Sequence, residues 1–278
     1  MSDLRAPPGD RLTALETYGV RVAVRAPDEA VLSHVRAFVP PHSKPCNPGE
    51  IAHRFTVMAE NGRRWSVQYD IRDGEPAQPV DPNSWIATEV DFEFALGLLE
   101  SYWHGALALN APEHFFVQAG VVAYEGRLIV MLGKGLTGKT TLVTELLDLG
   151  ATYYSDEYAV LDRDGRVHPY AVALPRSKEA APEPLPIDAP EPLPIDAVVA
   201  TGYFPGAEWR PRRLSHGEGL LALLSHAVPA QSRPEETMAV LKKALEHEPT
   251  MIESRRDQAG PVASLLLAEI AREAPTRV

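Results

Sequence analysis

The sequence predicts an α/β protein, and three observations carry that expectation. Residues 18–25 alternate in the manner of a half-buried strand, Leu128-Ile129-Val130-Met131-Leu132 is apolar without a break, and helix-spaced apolar residues follow a glycine-rich loop directly after that run. The chain has 278 residues, 45% hydrophobic and 23% charged, which is enough of the right material to bury a core. Its 27 basic and 38 acidic side chains leave a net charge of −11 with no basic cluster, so nucleic acid is not an expected partner. The single cysteine, Cys46, excludes an intrachain disulfide and a cysteine-built metal site. Residues 1–8 carry acid and proline where a signal peptide is apolar, and no 18-residue apolar stretch occurs; the expectation is a cytoplasmic protein with no membrane partner. The sequence leaves a homo-oligomer open.

Residues 1–17 are expected to be a flexible N-terminus, 18–110 an N-terminal α/β portion packed on the core, and 111–278 the core itself. In the first portion Val20, Val22 and Val24 share one face of a strand, and a short helix follows over 28–38. Phe55-Val57-Ala59 and Trp65-Val67-Tyr69-Ile71 alternate on either side of Asn61-Gly62, a dipeptide suited to a tight hairpin turn. From 91 to 109 the residues Phe92, Leu96, Leu99, Trp103, Ala106 and Leu107 form one helical face, with Asp91 as N-cap.

In the core, strands are expected at 115–124 and 127–132, the second buried on both faces. A helix carrying Leu142, Val143, Leu146 and Leu147 stops at Gly150, strand character resumes at 151–155 and 158–161, and Asp164-Gly165 turns the chain into 167–174. The octapeptide Pro-Glu-Pro-Leu-Pro-Ile-Asp-Ala occurs at 182–189 and again, unchanged, at 190–197. Six prolines in sixteen residues argue against a ladder or a helix, so 179–197 is expected to be an extended, insertion-tolerant loop. Helical patterns at 216–226, 234–248 and 261–274 close the chain.

The loop Gly133-Lys134-Gly135-Leu136-Thr137-Gly138-Lys139-Thr140, with Thr141 after it, matches G-x-x-x-x-G-K-[ST]. Its setting gives that spacing meaning: a buried strand delivers the loop, glycines let backbone N–H groups wrap phosphates, and the next helix aims its N-terminal dipole at them. Lys139 is then expected on the outer phosphates and the Thr140 hydroxyl on Mg²⁺. Sixteen residues past Thr140, at the end of an expected strand, stand Asp156 and Glu157. A parallel strand beside the loop strand would bring this pair to the phosphates, where a carboxylate can hold Mg²⁺ and take a proton from an acceptor hydroxyl. Arg176 and Lys178, and secondarily Arg210, Arg212 and Arg213, are candidates to offset charge on the transferring group. His114, His168 and His216 lack metal-ligand spacing and are expected to be structural.

Three further segments frame the loop: Phe116-Val117-Gln118-Ala119-Gly120-Val121-Val122, residues 150–157 ending in Ser155-Asp156-Glu157, and Val167-His168-Pro169-Tyr170. Together they resemble the HPr kinase/phosphorylase family, in particular its shorter bacterial relatives. The resemblance implies a P-loop kinase core of the HPr kinase/phosphoenolpyruvate-carboxykinase type, with ATP and Mg²⁺ as cofactors. It also implies transfer of phosphate to a serine-like hydroxyl on a peptide, protein or small molecule, and gives Asp156 the base role and Glu157 a supporting one. Two positions depart from the family: Gln118 stands where members carry histidine and cannot shuttle a proton near neutral pH, and Glu157 stands where HPr kinases have aspartate. The N-terminal domain of HPr kinases is not recognisable, so HPr itself is not the expected substrate. Beside the kinase stand two other readings, a nucleotide-binding regulatory protein that has lost turnover, marked by Gln118, and an NTPase that hydrolyses rather than transfers.

Overall fold

A computed structural model describes residues 11–40, 42–60, 63–71, 85–133, 137–172 and 190–272. The chain divides into two compact units, Met1–Pro112 and Glu113–Val278.

The first unit runs β1 (Arg11–Thr17), β2 (Val20–Ala26), α1 (Glu29–Phe38), β3 (Lys44–Pro45), β4 (His53–Glu60), β5 (Arg64–Ile71), β6 (Trp85–Val90) and α2 (Phe92–Asn110). Its six strands form one sheet in the order β3-β1-β2-β4-β5-β6. Residues 11–17 are therefore not loose: they form β1, antiparallel to β2. The turn between them is Tyr18-Gly19, both at positive φ (50° and 79°), the backbone that suits a two-residue hairpin. The segment hides from sequence reading because all of β1 except Thr17 is exposed or half-buried, so its pattern carries little hydrophobic contrast. Val20, Val22 and Val24 are buried as one face of β2, and the Asp28 carboxylate caps α1 by accepting from Val31 N at 2.9 Å. β4 and β5 pair antiparallel with Phe55 opposite Tyr69 and Val57 opposite Val67, while Asn61-Gly62 lies outside the described residues. In α2 the residues Leu99, Trp103, Ala106 and Leu107 are buried, but Phe92 and Leu96 only half so, and Asp91 makes no side-chain cap, its carboxylate meeting Arg64 at 3.2 Å instead. No helix among the described residues is long and apolar enough to cross a membrane.

The second unit runs β7 (Phe115–Tyr124), β8 (Arg127–Leu132), α3 (Lys139–Asp148), β9 (Thr152–Ser155), β10 (Tyr158–Leu161), β11 (Val167–His168), β12 (Ile195–Tyr203), β13 (Arg212–Arg213), α4 (His216–His226), α5 (Pro234–Ala244), β14 (Thr250–Arg256) and α6 (Ala259–Arg272). The mixed sheet has the order β11-β10-β7-β8-β12-β14-β13, with β9 paired to the far half of β7. Side chains alternate between two cores. Leu128, Val130 and Leu132 of β8 pack with Leu223 of α4 and Val240 and Leu241 of α5; Ile129 and Met131 pack with Leu142, Val143 and Leu146 of α3 and Val262, Ala263 and Leu266 of α6. The result is a three-layer α/β unit whose β8 is buried on both faces.

The largest departure from expectation is β12. The second copy of the octapeptide does not end in a loop; its last three residues open a strand that lies between β8 and β14, parallel to both. The prolines are accommodated because they precede the ladder. Upstream of it, the Glu191 carbonyl accepts from the Tyr154 hydroxyl (2.8 Å), and Leu193 exchanges backbone bonds with Val167 (2.8 and 3.2 Å). Asp196 is the extra residue of a bulge: Ile195 faces Leu128, Ala197 faces Ile129, and the Asp196 carboxylate takes the Leu128 N–H at 2.9 Å. The bulge also changes phase, so that Ile195 joins the α4/α5 core while Ala197 joins the α3/α6 core, two residues that a regular strand would put on one face. The first copy, at 182–189, lies outside the described residues.

Asp196→Ala strands the N–H of wholly buried Leu128, so the variant should lose ~1–3 kcal/mol in urea unfolding, with Asp196→Asn, which keeps an acceptor oxygen, losing less. Equal stability of Asp196→Ala and the parent protein would show that the bulge does not depend on this bond.

Candidate active site

β8 is apolar because it crosses the middle of the sheet, and at its carboxyl end the chain must leave the core abruptly. Gly133 permits this: a Cβ there would sit 2.4 Å from Thr137 Oγ1 and 3.2 Å from Lys139 Cγ, so the loop folds back over it. Gly138, at φ +75°, is the N-cap of α3 and accepts its first helical bond from Leu142 N (3.2 Å). The first N–H groups of α3, at Lys139, Thr140 and Thr141, have no partner within the helix and point toward the loop, a ready anion site. Lys134, Gly135 and Leu136 lie outside the described residues.

The acidic pair reaches this loop by a route the sequence does not show. β9 is not a neighbour of β8; β7 stands between them, antiparallel to both. Two antiparallel steps restore direction, so β8 and β9 end on the same edge of the sheet. The Thr140 hydroxyl donates to Asp156 Oδ2 at 3.0 Å. The Tyr153 hydroxyl lies within donating distance of Asp156 Oδ1 (3.0 Å) and of the Val172 carbonyl (3.1 Å). Asp156 is only 6% exposed, and burial pushes its pKa above the ordinary carboxylate value despite the opposing hydrogen bonds of Thr140 and Tyr153 and the charge of Lys139. Burial likewise lowers the pKa of Lys139, against the pull of Glu157 and Asp156. Loop lysine and Asp156 therefore share one poorly solvated space, and Glu157 is near enough for its charge to act on Lys139.

Backbone bonds hold the pair in place. Ser155 Oγ accepts from Glu157 N (3.1 Å) and Tyr158 N (3.0 Å), a side-chain-closed turn between β9 and β10, and Ala119 N donates to the Glu157 carbonyl (3.1 Å). Glu157 itself is exposed. Gln118, half-buried in β7 opposite Tyr158, is the residue next to Ala119 and so stands on the same stretch of backbone. Arg176 and Lys178 lie outside the described residues. Of the second basic group, Arg210 pairs with Glu208, and Arg212 is held between Glu218 (2.8 Å) and Glu253 (2.7 Å). His168 Nε2 lies 2.9 Å from Asp162 Oδ2, within the β10–β11 turn, a structural placement.

One residue that no motif marks is Arg256, at the end of β14. It is 2% exposed, and its Nη2 donates to the Gly138 carbonyl (2.5 Å) and the Thr137 carbonyl (3.3 Å). Its buried Nε has no hydrogen-bond partner, and it pairs with no acid among the described residues. Desolvation is the one influence on its pKa, downward, yet a guanidinium stays charged in proteins. An uncompensated buried cation braces the glycine-rich loop from behind. The adjacent Arg255-Arg256 at a strand end was the only sequence trace of it.

Among the described residues, no group of three or more His, Cys, Asp or Glu side chains is placed to hold a metal by itself. Mg²⁺ at phosphate sites takes one or two protein oxygens and completes its shell with phosphate and water, and the Thr140 hydroxyl and Asp156 carboxylate, 3.0 Å apart, are oxygen donors of the right hardness. Compared with known proteins, the chain matches no family model and no curated protein. Its functional reading rests on these residues.

Because native Asp156 binds its proton more tightly than unfolded Asp156, the wild type gains stability as pH falls through the raised pKa and is penalised above it. Asp156→Asn should therefore raise the Tm at pH 7, with the gain shrinking as the pH falls toward the ordinary carboxylate range. A Tm difference that is flat with pH would place the charge penalty elsewhere.

Proposed function

We propose that the chain is an ATP- and Mg²⁺-dependent kinase that transfers the γ-phosphate to a serine-like hydroxyl on a peptide, protein or small molecule. The observation that carries this is the 3.0 Å bond from Thr140, on the glycine-rich loop, to buried Asp156. It ties the phosphate-binding end of α3 to the strand end that bears the acidic pair.

In this reading the loop N–H groups and the α3 N-terminus take up phosphate charge, and Lys139 holds the outer phosphates. Mg²⁺, held by Thr140 and Asp156, would offset charge on the phosphate oxygens. Burial of Asp156, with each carboxylate oxygen already accepting a hydrogen bond, supports giving it the metal role in place of the base role implied by the family resemblance. Exposed Glu157, next in the chain, is the carboxylate with access to an incoming hydroxyl. Glu157 accepts the hydroxyl proton as the acceptor oxygen bonds to the γ-phosphorus, the bond from that phosphorus to the β,γ-bridging oxygen breaks, and ADP leaves. Gln118 favours a second reading, a nucleotide-binding regulator with little turnover, since it stands next to Ala119, whose N–H holds the Glu157 carbonyl, and its side-chain amide cannot relay a proton.

With γ-labelled ATP and a panel of peptides and hydroxyl compounds, Glu157→Gln should lower transfer by about 10²–10⁴-fold while leaving ATP affinity within a few-fold. Lys139→Ala should weaken ATP binding itself. ATP binding without transfer to any acceptor, relieved by Gln118→His, would favour the regulator, whereas unchanged ATP affinity in Lys139→Ala would remove the nucleotide site altogether.

A further inference from the structure

A second feature adjoins the glycine-rich loop on the side away from the acidic pair. A cavity of about 800 Å³ opens at the carboxyl ends of β8, β12 and β14, and its wall includes Gly133 and Thr137 of the loop together with Thr201, Tyr203, Phe204 and Arg255. Its size falls within the range of small-molecule sites. Two large aromatic residues stand at its edge where burial would be the norm: Tyr203 is 53% exposed and Phe204 52%. Neither is loosely held. Tyr203 N donates to the Thr137 carbonyl at 3.1 Å and Phe204 N to the Arg256 carbonyl at 2.8 Å, so the aromatic pair is fastened to the loop and to its brace. The Arg255 guanidinium lies 5.1 Å from the Phe204 ring centroid. The wall also contains an orphan: Thr201 Oγ1 is buried with no hydrogen-bond partner among the described residues. A buried hydroxyl without a partner costs free energy unless a ligand or water supplies one.

We propose that this cavity takes the base and ribose of a nucleoside triphosphate, with the base stacked on Phe204 and a polar group of the nucleoside satisfying Thr201. This rests on the kinase reading above. The polarity of the bound chain follows from the fold. The transferring phosphate belongs beside Lys139 and Asp156, on the β7/β9 side of β8; an acceptor must approach from that end. The nucleoside is the other end of the molecule, and across Gly133, on the β12/β14 side, the cavity and its aromatic edge are what it meets. A flat aromatic face suits a base more than an aliphatic hydroxyl compound, because every base offers a π-face for stacking.

The test compares Mg²⁺·ATP with Mg²⁺·tripolyphosphate, which has the phosphates and no nucleoside, by titration calorimetry on the full chain. Phe204→Ala should weaken ATP by about 5- to 150-fold, the span seen when a stacking aromatic is truncated, and Thr201→Val should weaken it several-fold; neither should move tripolyphosphate. Phe204→Trp supplies a reading that does not depend on truncation: its fluorescence should be quenched by ATP and not by tripolyphosphate. If the parent protein binds both ligands equally, or if Phe204→Ala weakens both to the same degree, the cavity is not the nucleoside site while the phosphate site stands. If the parent binds neither, the kinase reading fails and this proposal with it.

Discussion

Burial of β8 on both faces is the constraint from which the rest of the second unit follows. A strand covered by α4 and α5 on one side and by α3 and α6 on the other has nowhere to put a polar group except at its ends. The glycine-rich loop is therefore confined to the carboxyl end. Its neighbours in the sheet decide what it meets there: β7 on one side brings Ala119 and, through it, the acidic pair, while β12 on the other brings Tyr203 and Phe204. Loop, acids and aromatic edge share one rim because three strands end along it.

That rim concentrates groups that water would normally solvate. Asp156 and Arg256 are buried, Lys139 is half-buried, and burial disfavours the charged form of each. Lys139 and Asp156 lie close enough to offset one another, but among the described residues the Arg256 guanidinium meets only the carbonyls of Thr137 and Gly138. A buried cation with neutral partners is expensive for a folded chain, and an incoming anion is what relieves it. In the proposed kinase reading, bound phosphate would supply that counter-charge.

The proline-rich duplication shows how a small local device rescues an unpromising sequence. Prolines cannot donate to a ladder, yet the second copy feeds directly into a central strand. It does so by keeping its prolines ahead of the ladder and by letting the Asp196 side chain act as the acceptor that the bulged backbone does not provide. The same bulge turns Ile195 toward one core and Ala197 toward the other, so both apolar residues are used.

How much the sequence determined by itself depends on whether a feature is local. The strands β7 and β8, the glycine turn and the start of α3 were legible because each rests on consecutive residues: apolar runs, glycines whose missing Cβ the turn requires, and helix spacing. The strand β1 was not, because its residues are mostly half-exposed and only pairing with β2 makes it a strand. Nor was β12, where composition spoke for a loop and the bulge with Leu128 decided otherwise. At the site, the sequence named Lys139, Thr140, Asp156 and Glu157 but could not say how they meet. Only the tertiary structure placed β7 between the two strands, buried Asp156 against Thr140 while leaving Glu157 exposed, and brought Arg256 to the loop from 116 residues beyond Thr140. The physical reason is that burial and charge pairing are properties of neighbours in space, and the neighbours here come from strands that are not consecutive in the chain.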